Sequence, residues 1–215
     1  TSSVVQLTFS FVLQFVQKVE YYDQFGKNKW SSHDIFTHLD KPFFDLEGKK
    51  WGIIGFGDIG KRVAKVADAF GSFVQYYSTS GKNLDPSHKS VPLNELLETS
   101  DIISIHAPLN DQTNNLLNST NLPIIKKDAI LLNLGRGGIV NEKDISDSIN
   151  NGQDIYYGTD VVSREPIEKD NPLLAINDKD RLVLTPHIAW GSIESRIKLL
   201  AGIEENIQKF IDTQI

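Results

Sequence analysis

The sequence predicts an α/β fold in which helices cover both faces of an open, parallel, doubly wound sheet. Two observations lead to this prediction. From Trp51 onward, short aliphatic and β-branched runs alternate with helical stretches, which is the rhythm of consecutive βα units. A glycine-rich segment, 55–60, also lies directly between the first such run and the next helical stretch. The predicted strands are 51–54, 73–77, 101–105, 129–134, 155–159 and 182–185, and the predicted helices lie near 58–70, 93–98, 142–150 and 192–212.

The first 22 residues form an apolar stretch that we predict to be a buried helix. Ser3 and Gln6 have the spacing of a capping box. Polar residues interrupt the stretch, and it lacks a basic n-region and a cleavage site, which argues against a membrane span or signal sequence. The helix must pack on its own domain or on a second subunit, and the sequence leaves both open. Residues 23–49 are predicted to be loop. Apolar residues recur at helical spacing at Val4, Leu7, Phe11, Phe15 and Val19.

Composition excludes several classes of function. A net charge of −6 and a pI near 5.4 argue against a nucleic-acid partner, because phosphate binding needs a basic surface. The chain has no cysteine, which excludes disulfides and thiolate metal sites, and we predict no metal site. We expect a cytoplasmic protein with no membrane partner, because the absence of cysteine fits an intracellular compartment.

The segment Gly55-Phe56-Gly57-Asp58-Ile59-Gly60 predicts a site for the pyrophosphate of a dinucleotide. Gly55 allows a tight turn, Gly57 lets the backbone approach the phosphates, and Gly60 lets helix and strand pack closely. Free N–H groups at the helix start would face the anion. A tight turn without a ligand gives the same pattern, but the position between strand and helix favours a Rossmann-like binding site.

The residues after the second predicted strand bear on the choice between NAD and NADP. Ser78 stands where NAD-specific sites usually carry an acid that binds the ribose 2′-hydroxyl. Thr79, Ser80 and Lys82 follow, so the segment offers hydroxyls and a cation and no carboxylate, which suits a 2′-phosphate. We predict NAD or NADP as the cofactor, with some preference for NADP. The alternative, that Ser78 tolerates NAD and Lys82 is a solvated charge, has about equal weight.

Polar residues follow four predicted strands, at the edge where open α/β sheets bind ligands. Arg136 suits a substrate carboxylate because its planar guanidinium binds bidentately, although a surface arginine in a turn is the alternative. Both His106 and His187 qualify as the acid/base of a nicotinamide reaction on a hydroxy or keto acid, and position alone does not separate them. Glu165 is a candidate for orienting a neighbouring histidine. The full set at the strand ends is His106, Asn133, Arg136, Asp160 and His187.

Five motifs together resemble the D-isomer-specific 2-hydroxyacid dehydrogenases. They are GFGDIG at 55–60, HAPLNDQT at 106–113, LLNLGRGGIVNE at 131–142, GTDVVSREP at 158–166 and TPHIAW at 185–190. Their order and spacing match the family, and this combination is far more specific than any single motif. TPHIAW is similar to the glycerate dehydrogenase, or hydroxypyruvate reductase, branch.

The resemblance implies a role for each candidate residue. It assigns Arg136 to the substrate carboxylate and carbonyl, Glu165 to orienting the histidine, and His187 to proton transfer. By this assignment His106 becomes a cofactor contact, and Asp160 lies at the nicotinamide side. The remaining cofactor contacts implied are Phe56, Asp58, Ile59, Ala107, Pro108, Thr113, Asn133, Leu134, Gly135 and Ala189.

The resemblance also implies an activity and a domain organisation. The activity is hydride transfer between NAD(P) and a small D-2-hydroxy or 2-keto acid, with glycerate/hydroxypyruvate or glyoxylate favoured. A corepressor-type module that senses NAD(P) without turnover is the alternative. Residues 1–48 would be an interdomain and dimerisation helix with its loop, 49–190 the dinucleotide-binding domain, and 191–215 a helix that packs toward an absent substrate domain. We therefore expect a homodimer through the N-terminal helix, and poor turnover by this chain alone.

Overall fold

The computed structural model describes residues 1–214, and within them seven strands form a single parallel sheet. The strands are β1 (Lys50–Ile54), β2 (Phe73–Tyr77), β3 (Lys89–Ser90), β4 (Ile102–Ile105), β5 (Ile130–Asn133), β6 (Tyr156–Thr159) and β7 (Leu182–Leu184). Their order is β3-β2-β1-β4-β5-β6-β7. The strand order reverses between β1 and β4, and in such sheets ligands bind beyond the carboxyl ends of the strands at this point.

The same residues form six α-helices and four short 3-10 helices. The α-helices are α1 (Ser2–Gln17), α2 (Val19–Asn28), α3 (Asp58–Ala69), α4 (Leu93–Thr99), α5 (Glu142–Asn150) and α6 (Ile193–Gln214). The 3-10 helices are Trp30–Ser32, Leu122–Ile124, Pro172–Ala175 and Lys179–Arg181. The predicted α/β class is confirmed, and from β1 onward every predicted element is present with ends that differ by at most two residues. Strand β3 was not predicted. The predicted C-terminal segment 191–215 ends at residue 215, which lies outside the described residues.

The sheet has an apolar core on each face. Neighbouring residues of one strand contribute to opposite cores, as Ile53 and Ile54 do in β1 and Leu131 and Leu132 do in β5. Strands β4 and β5 are buried along their whole length, as expected for a parallel sheet covered on both sides. This double core fixes the positions of the strand ends, which carry the candidate site.

The prediction of one helix over the first 22 residues was wrong. The chain turns at Lys18, which has the left-handed conformation (φ 50°, ψ 40°), and α2 begins at the next residue. Residues 23–28 are therefore helical, although they were predicted as loop. The capping box of Ser3 and Gln6 was also wrong, because α1 already begins at Ser2 and has no side-chain cap.

Helix α1 packs on its own domain, one of the two possibilities that the sequence left open. It contacts α3 and β5, and the Phe9 ring centroid lies 4.8 Å from that of Trp51. Phe11 and Phe15 are buried as predicted, but Val19 lies beyond the turn at Lys18 and is 63% exposed. Within the part of the chain described, no helix combines the length and the hydropathy needed to cross a membrane.

Candidate active site

An open cleft of about 560 Å³ lies at the carboxyl edge of the sheet. Loops that follow β4, β5, β6 and β7 converge on it, because the carboxyl ends of parallel strands share one edge. The strand-end polar residues therefore come together as predicted. Asn133 does not line the cleft itself, but its side chain hydrogen-bonds to Gly135 and Arg136, which do. The lining residues are Val4, Ile59, His106, Ala107, Pro108, Leu109, Leu134, Gly135, Arg136, Asp160, Val161, His187, Ala189 and Trp190.

Four lining residues were missed by sequence reasoning. Leu109 and Trp190 stood inside the motifs HAPLNDQT and TPHIAW, which was a usable signal, and Val161 directly follows Asp160. Val4 reaches the cleft from α1, and no local pattern in the sequence indicates that contact.

The glycine turn after β1 has the geometry predicted for it. Gly55 has φ 90°, and a Cβ there would lie 2.7 Å from the Ala107 backbone nitrogen. A Cβ on Gly60 would lie 2.4 Å from the Gly55 carbonyl oxygen, so both positions require glycine. At Gly57 a Cβ would meet no protein atom within 4 Å, so this backbone is open to a ligand. Helix α3 starts here without a side-chain cap, which leaves N–H donors for an anion.

Unpaired polar atoms lie on either side of this turn. Ser78 Oγ, after β2, and both ring nitrogens of His106, after β4, are shielded from solvent without a hydrogen-bond partner among the described residues. Buried polar atoms are normally paired, so these atoms indicate a polar ligand that crosses the end of β1. The residues thus fit a dinucleotide. No group of three His, Cys, Asp or Glu side chains within residues 1–214 is placed to hold a metal ion.

Burial separates the two candidate histidines. Desolvation lowers the pKa of His106 to about 3, so its ring is neutral at physiological pH and poorly suited to donate a catalytic proton. The His187 side chain is 36% exposed at the rim of the cleft. The structure therefore favours His187 as the acid/base.

His187 and Glu165 form a hydrogen-bonded pair, with 2.6 Å between Nδ1 and Oε2. Desolvation raises the pKa of the Glu165 carboxyl, but hydrogen bonds from His187 and the Val162 N–H outweigh it and hold this pKa below its ordinary value. Glu165 is thus ionised at neutral pH and can only accept, so His187 Nδ1 carries the proton. Nε2 remains available for proton exchange with a substrate.

Asp160 holds the loop that carries His187. Its carboxylate accepts hydrogen bonds from Thr185 Oγ1, from the Ile188 N–H (2.8 Å) and from the Ala189 N–H (2.7 Å). Asp160 is 1% exposed, and His187 lies between these anchors with φ 53°, a conformation uncommon for residues other than glycine. These contacts fix the backbone on both sides of the histidine.

Asn133 shapes the turn that presents Arg136. Its side chain donates to the Arg136 carbonyl oxygen (2.9 Å) and accepts from the Gly135 N–H (3.1 Å). Among the residues described, the Arg136 side chain makes one hydrogen bond, from Nη1 to the Gly135 carbonyl oxygen (2.8 Å). Most of its five donors are therefore free to bind an anion in the cleft.

Some predicted cofactor residues have side chains away from the cleft. The Phe56 ring is 1% exposed and stacks on Tyr76 at 4.0 Å, so it belongs to the core. Thr113 is fully buried and donates to the Pro108 carbonyl oxygen (2.6 Å), which ties its own loop together. Asp58 is exposed in the first turn of α3. Thr79, Ser80 and Lys82 lie on the turn after β2, outside the residues that line the cleft.

Comparison with known proteins identifies the family. The model of the D-isomer specific 2-hydroxyacid dehydrogenase NAD-binding domain matches residues 9–189. The chain is 37% identical to a hydroxypyruvate reductase from Blautia hydrogenotrophica, over 98% of the chain and 66% of the reductase.

Two solved structures show the same architecture. D-lactate dehydrogenase from Aquifex aeolicus, complexed with NAD and lactic acid, matches with a TM-score of 0.85 and 25% identity over 98% of this chain and 66% of that one. An acyclic imino acid reductase in complex with NADPH and D-Arg matches with a TM-score of 0.82 and 30% identity over 98% and 65%. The chain thus spans about two thirds of these proteins. It belongs to the D-isomer-specific 2-hydroxyacid dehydrogenase family, and it covers the NAD-binding domain.

Proposed function

We propose that this protein catalyses hydride transfer between a nicotinamide dinucleotide and C2 of a small D-2-hydroxy or 2-keto acid. The observation that carries the proposal is the His187–Glu165 pair, at 2.6 Å, on the rim of the cleft that Arg136 also lines. A bound nicotinamide supplies or accepts the hydride, and the chain supplies orientation and proton transfer.

Each residue has a distinct task in this proposal. The free donors of Arg136 bind the substrate carboxylate and so place the carbonyl toward His187. His187 Nε2 gives its proton to the carbonyl oxygen during reduction and takes it from the hydroxyl during oxidation. Glu165 holds the Nδ1–H tautomer and stabilises the imidazolium.

The test is steady-state turnover of a panel of 2-keto acids by the full-length protein and its His187→Gln variant. Loss of the proton donor should lower kcat roughly 10²- to 10⁴-fold while the nucleotide Kd stays unchanged. His33→Gln is the matched control, because the contacts of His33 within the described residues are with Phe25, Ile35 and His38, none of which lines the cleft. Unchanged kcat in His187→Gln contradicts the proposal. Nucleotide binding with no turnover in the wild type would favour the sensing module.

Within this class we propose hydroxypyruvate or glyoxylate as the substrate. TPHIAW at 185–190 and the identity to a hydroxypyruvate reductase support this choice. The same panel tests it: the highest kcat/KM should belong to one of these two acids, and a clear preference for another acid contradicts it.

We further propose a preference for NADP over NAD. Ser78 Oγ, at the end of β2, has no hydrogen-bond partner in the part of the chain described, and the turn 78–82 offers Lys82 and no carboxylate. The kcat/KM for NADPH should exceed that for NADH, and Ser78→Asp should reverse the order. Lys82→Ala should weaken NADPH binding alone, whereas Lys65→Ala, on the exposed side of α3, should change neither. A strong NADH preference in the wild type would refute this proposal.

We propose that the homodimer expected through the N-terminal helix forms through this helix and the loop that follows it, with the segment 30–44 as its main contact. This segment exposes large apolar side chains, whereas α1 packs its large apolar side chains into the core. Sedimentation should show a dimer that Phe36→Asp dissociates and that Leu84→Asp, a comparable change at another exposed site, leaves intact. A wild-type monomer at high concentration contradicts it. The exposed residues are Trp30, Ile35, Phe36, Leu39, Phe43 and Phe44.

The predicted domain organisation also stands as a proposal. The apolar stripe of α6 is 46–66% exposed, which suits a helix that packs on a further lobe of the protein. In the full-length protein the backbone amides of α6 should be protected from hydrogen exchange, and these side chains should be protected from covalent labelling. The stripe comprises Ile193, Ile197, Leu200, Ile203, Ile207 and Phe210. The cytoplasmic location stays a prediction from composition.

A further inference from the structure

We propose that Glu142 is a positioning residue for catalysis: its carboxylate anchors the loop 162–166, and this loop places Glu165 against His187. The inference rests on the function proposed above for the His187–Glu165 pair. Glu142 is the first residue of α5, and it does not line the cleft. It therefore acts on the site through the loop.

The Glu142 carboxylate is the acceptor for three hydrogen bonds. The Ser163 N–H donates to Oε1, the Ser163 hydroxyl donates to Oε2 (2.9 Å), and Asn171 Nδ2 donates to Oε2 (2.7 Å). Ser163 is two residues before Glu165, and Asn171 is 8% exposed. Hydrogen bonds to an ionised carboxylate are stronger than those between neutral groups. Glu142 is thus fixed by its place on α5 and by the buried Asn171, and it holds Ser163 in turn.

Further hydrogen bonds connect the loop 162–166 to His187. The loop closes on itself because the Val162 N–H donates to Glu165 Oε1 (3.2 Å). Glu165 Oε2 then pairs with His187 Nδ1 at 2.6 Å. On its inner side the loop touches the turn that carries Arg136, since a Cβ on Gly137 would lie 2.0 Å from the Val162 carbonyl oxygen. Displacement of the loop would therefore move the histidine's partner.

Burial does not hold this loop by itself. Residues 163–166 are all exposed, and the Glu165 side chain is 38% exposed. An exposed segment with few packing contacts depends on its hydrogen bonds for a fixed position. Catalysis is sensitive to such positions, because a shift of about 1 Å in a reacting group can cost roughly a hundredfold in rate.

The experiment compares Glu142→Ala, Glu142→Gln, Glu168→Ala and His187→Gln in the full-length protein. We expect Glu142→Ala to lower kcat about 10- to 100-fold, with KM for the keto acid and Kd for the nucleotide nearly unchanged. Glu142→Gln keeps the side-chain shape and an acceptor for the Ser163 N–H, and should restore part of kcat. Glu168→Ala removes an acidic side chain just after this loop; among the described residues its carboxylate hydrogen-bonds to Arg164 alone, so kcat should stay at the wild-type level.

The outcomes separate this inference from the proposed function. Wild-type kcat in both Glu142 variants, with kcat lost in His187→Gln, overturns the role of Glu142 and leaves the proposed function intact. An equal loss in Glu168→Ala also overturns it, since any disturbance of the loop would then suffice. Retained kcat in His187→Gln removes the proposed function and this inference together. If Glu142→Ala does not fold, Glu142→Gln decides, and a kcat equal to wild type rejects the role.

Discussion

Helix α1 and the segment 19–44 are adjacent in the chain and both carry large apolar side chains, but they differ in what these side chains contact. In α1, Phe11, Val12 and Phe15 are at most 5% exposed and complete one core of the sheet. In the following segment, Trp30 is 55% exposed and Phe36 is 87% exposed. The difference shows that apolar content alone does not define the core. One region completes the domain, and the other leaves large apolar side chains at the surface.

The same substitution in the two regions should have the largest difference in effect. Phe11→Ala should lower the free energy of unfolding by about 3–5 kcal/mol, because a fully packed ring is lost. Phe36→Ala should change it by less than about 0.5 kcal/mol at concentrations where the chain is monomeric. Urea unfolding of both variants measures the two values. Equal losses would mean that the segment 19–44 is part of the same core.

Two glycines extend the comparison to the backbone, because one lies in a closely packed turn and the other in the open helix α2. Gly55→Ala should cost roughly 1–3 kcal/mol of stability and abolish nucleotide binding, because its Cβ would collide with the backbone of Ala107. Gly26→Ala, in α2, meets no atom within 4 Å and should stabilise the chain by up to about 1 kcal/mol, since alanine is the better helix former. Thermal melts with and without NADPH report both effects. A Gly55→Ala variant that still binds nucleotide would contradict the turn geometry.

Two aspartates give the smallest effects and differ in pH dependence. Desolvation raises the pKa of Asp101, but hydrogen bonds from Lys126 and the Lys50 N–H outweigh it and hold the pKa below its ordinary value. At the segment 19–44, a hydrogen bond from Lys41 lowers the pKa of the exposed Asp180. For a lowered folded-state pKa, the stabilisation is present above the unfolded value, near 3.9, and is lost as pH falls through the folded value.

At pH 7, Asp101→Asn should therefore cost about 1–2 kcal/mol, and Asp180→Asn less than about 1 kcal/mol because the latter pair lies at the surface. Both differences from wild type should vanish in strongly acidic solution. Denaturant unfolding at pH 7 and at pH values below the lowered folded-state pKa of both aspartates provides the comparison. A cost in Asp101→Asn that persists in acid would show that its hydrogen bonds do not depend on ionisation.

The domain from β1 onward was predictable because its signals are local. Aliphatic runs such as WGII, the glycine turn and the residues after each strand all lie within short windows of sequence. Strand β3 was missed because two residues, Lys89 and Ser90, carry no periodicity. The turn at Lys18 was missed because lysine carries no local sequence signal for the left-handed conformation.

The sequence predicted which residues lie at the site better than it predicted the contacts between them. Spacing placed His106 and His187 at the same edge, but only their burial separates their chemistry. The anchoring roles of Asp160 and Glu142 depend on hydrogen bonds between segments far apart in the chain, which no motif encodes.

The most direct test of the central claim follows the hydride itself. The full-length protein is incubated with hydroxypyruvate or glyoxylate and NADPH carrying deuterium at the transferable C4 position, and the hydroxy acid is analysed by mass spectrometry. The account predicts one deuterium at C2 of the product, with the rate of labelling reduced at least about a hundredfold in His187→Gln. Turnover that places solvent hydrogen at C2, or full labelling in His187→Gln, would contradict it.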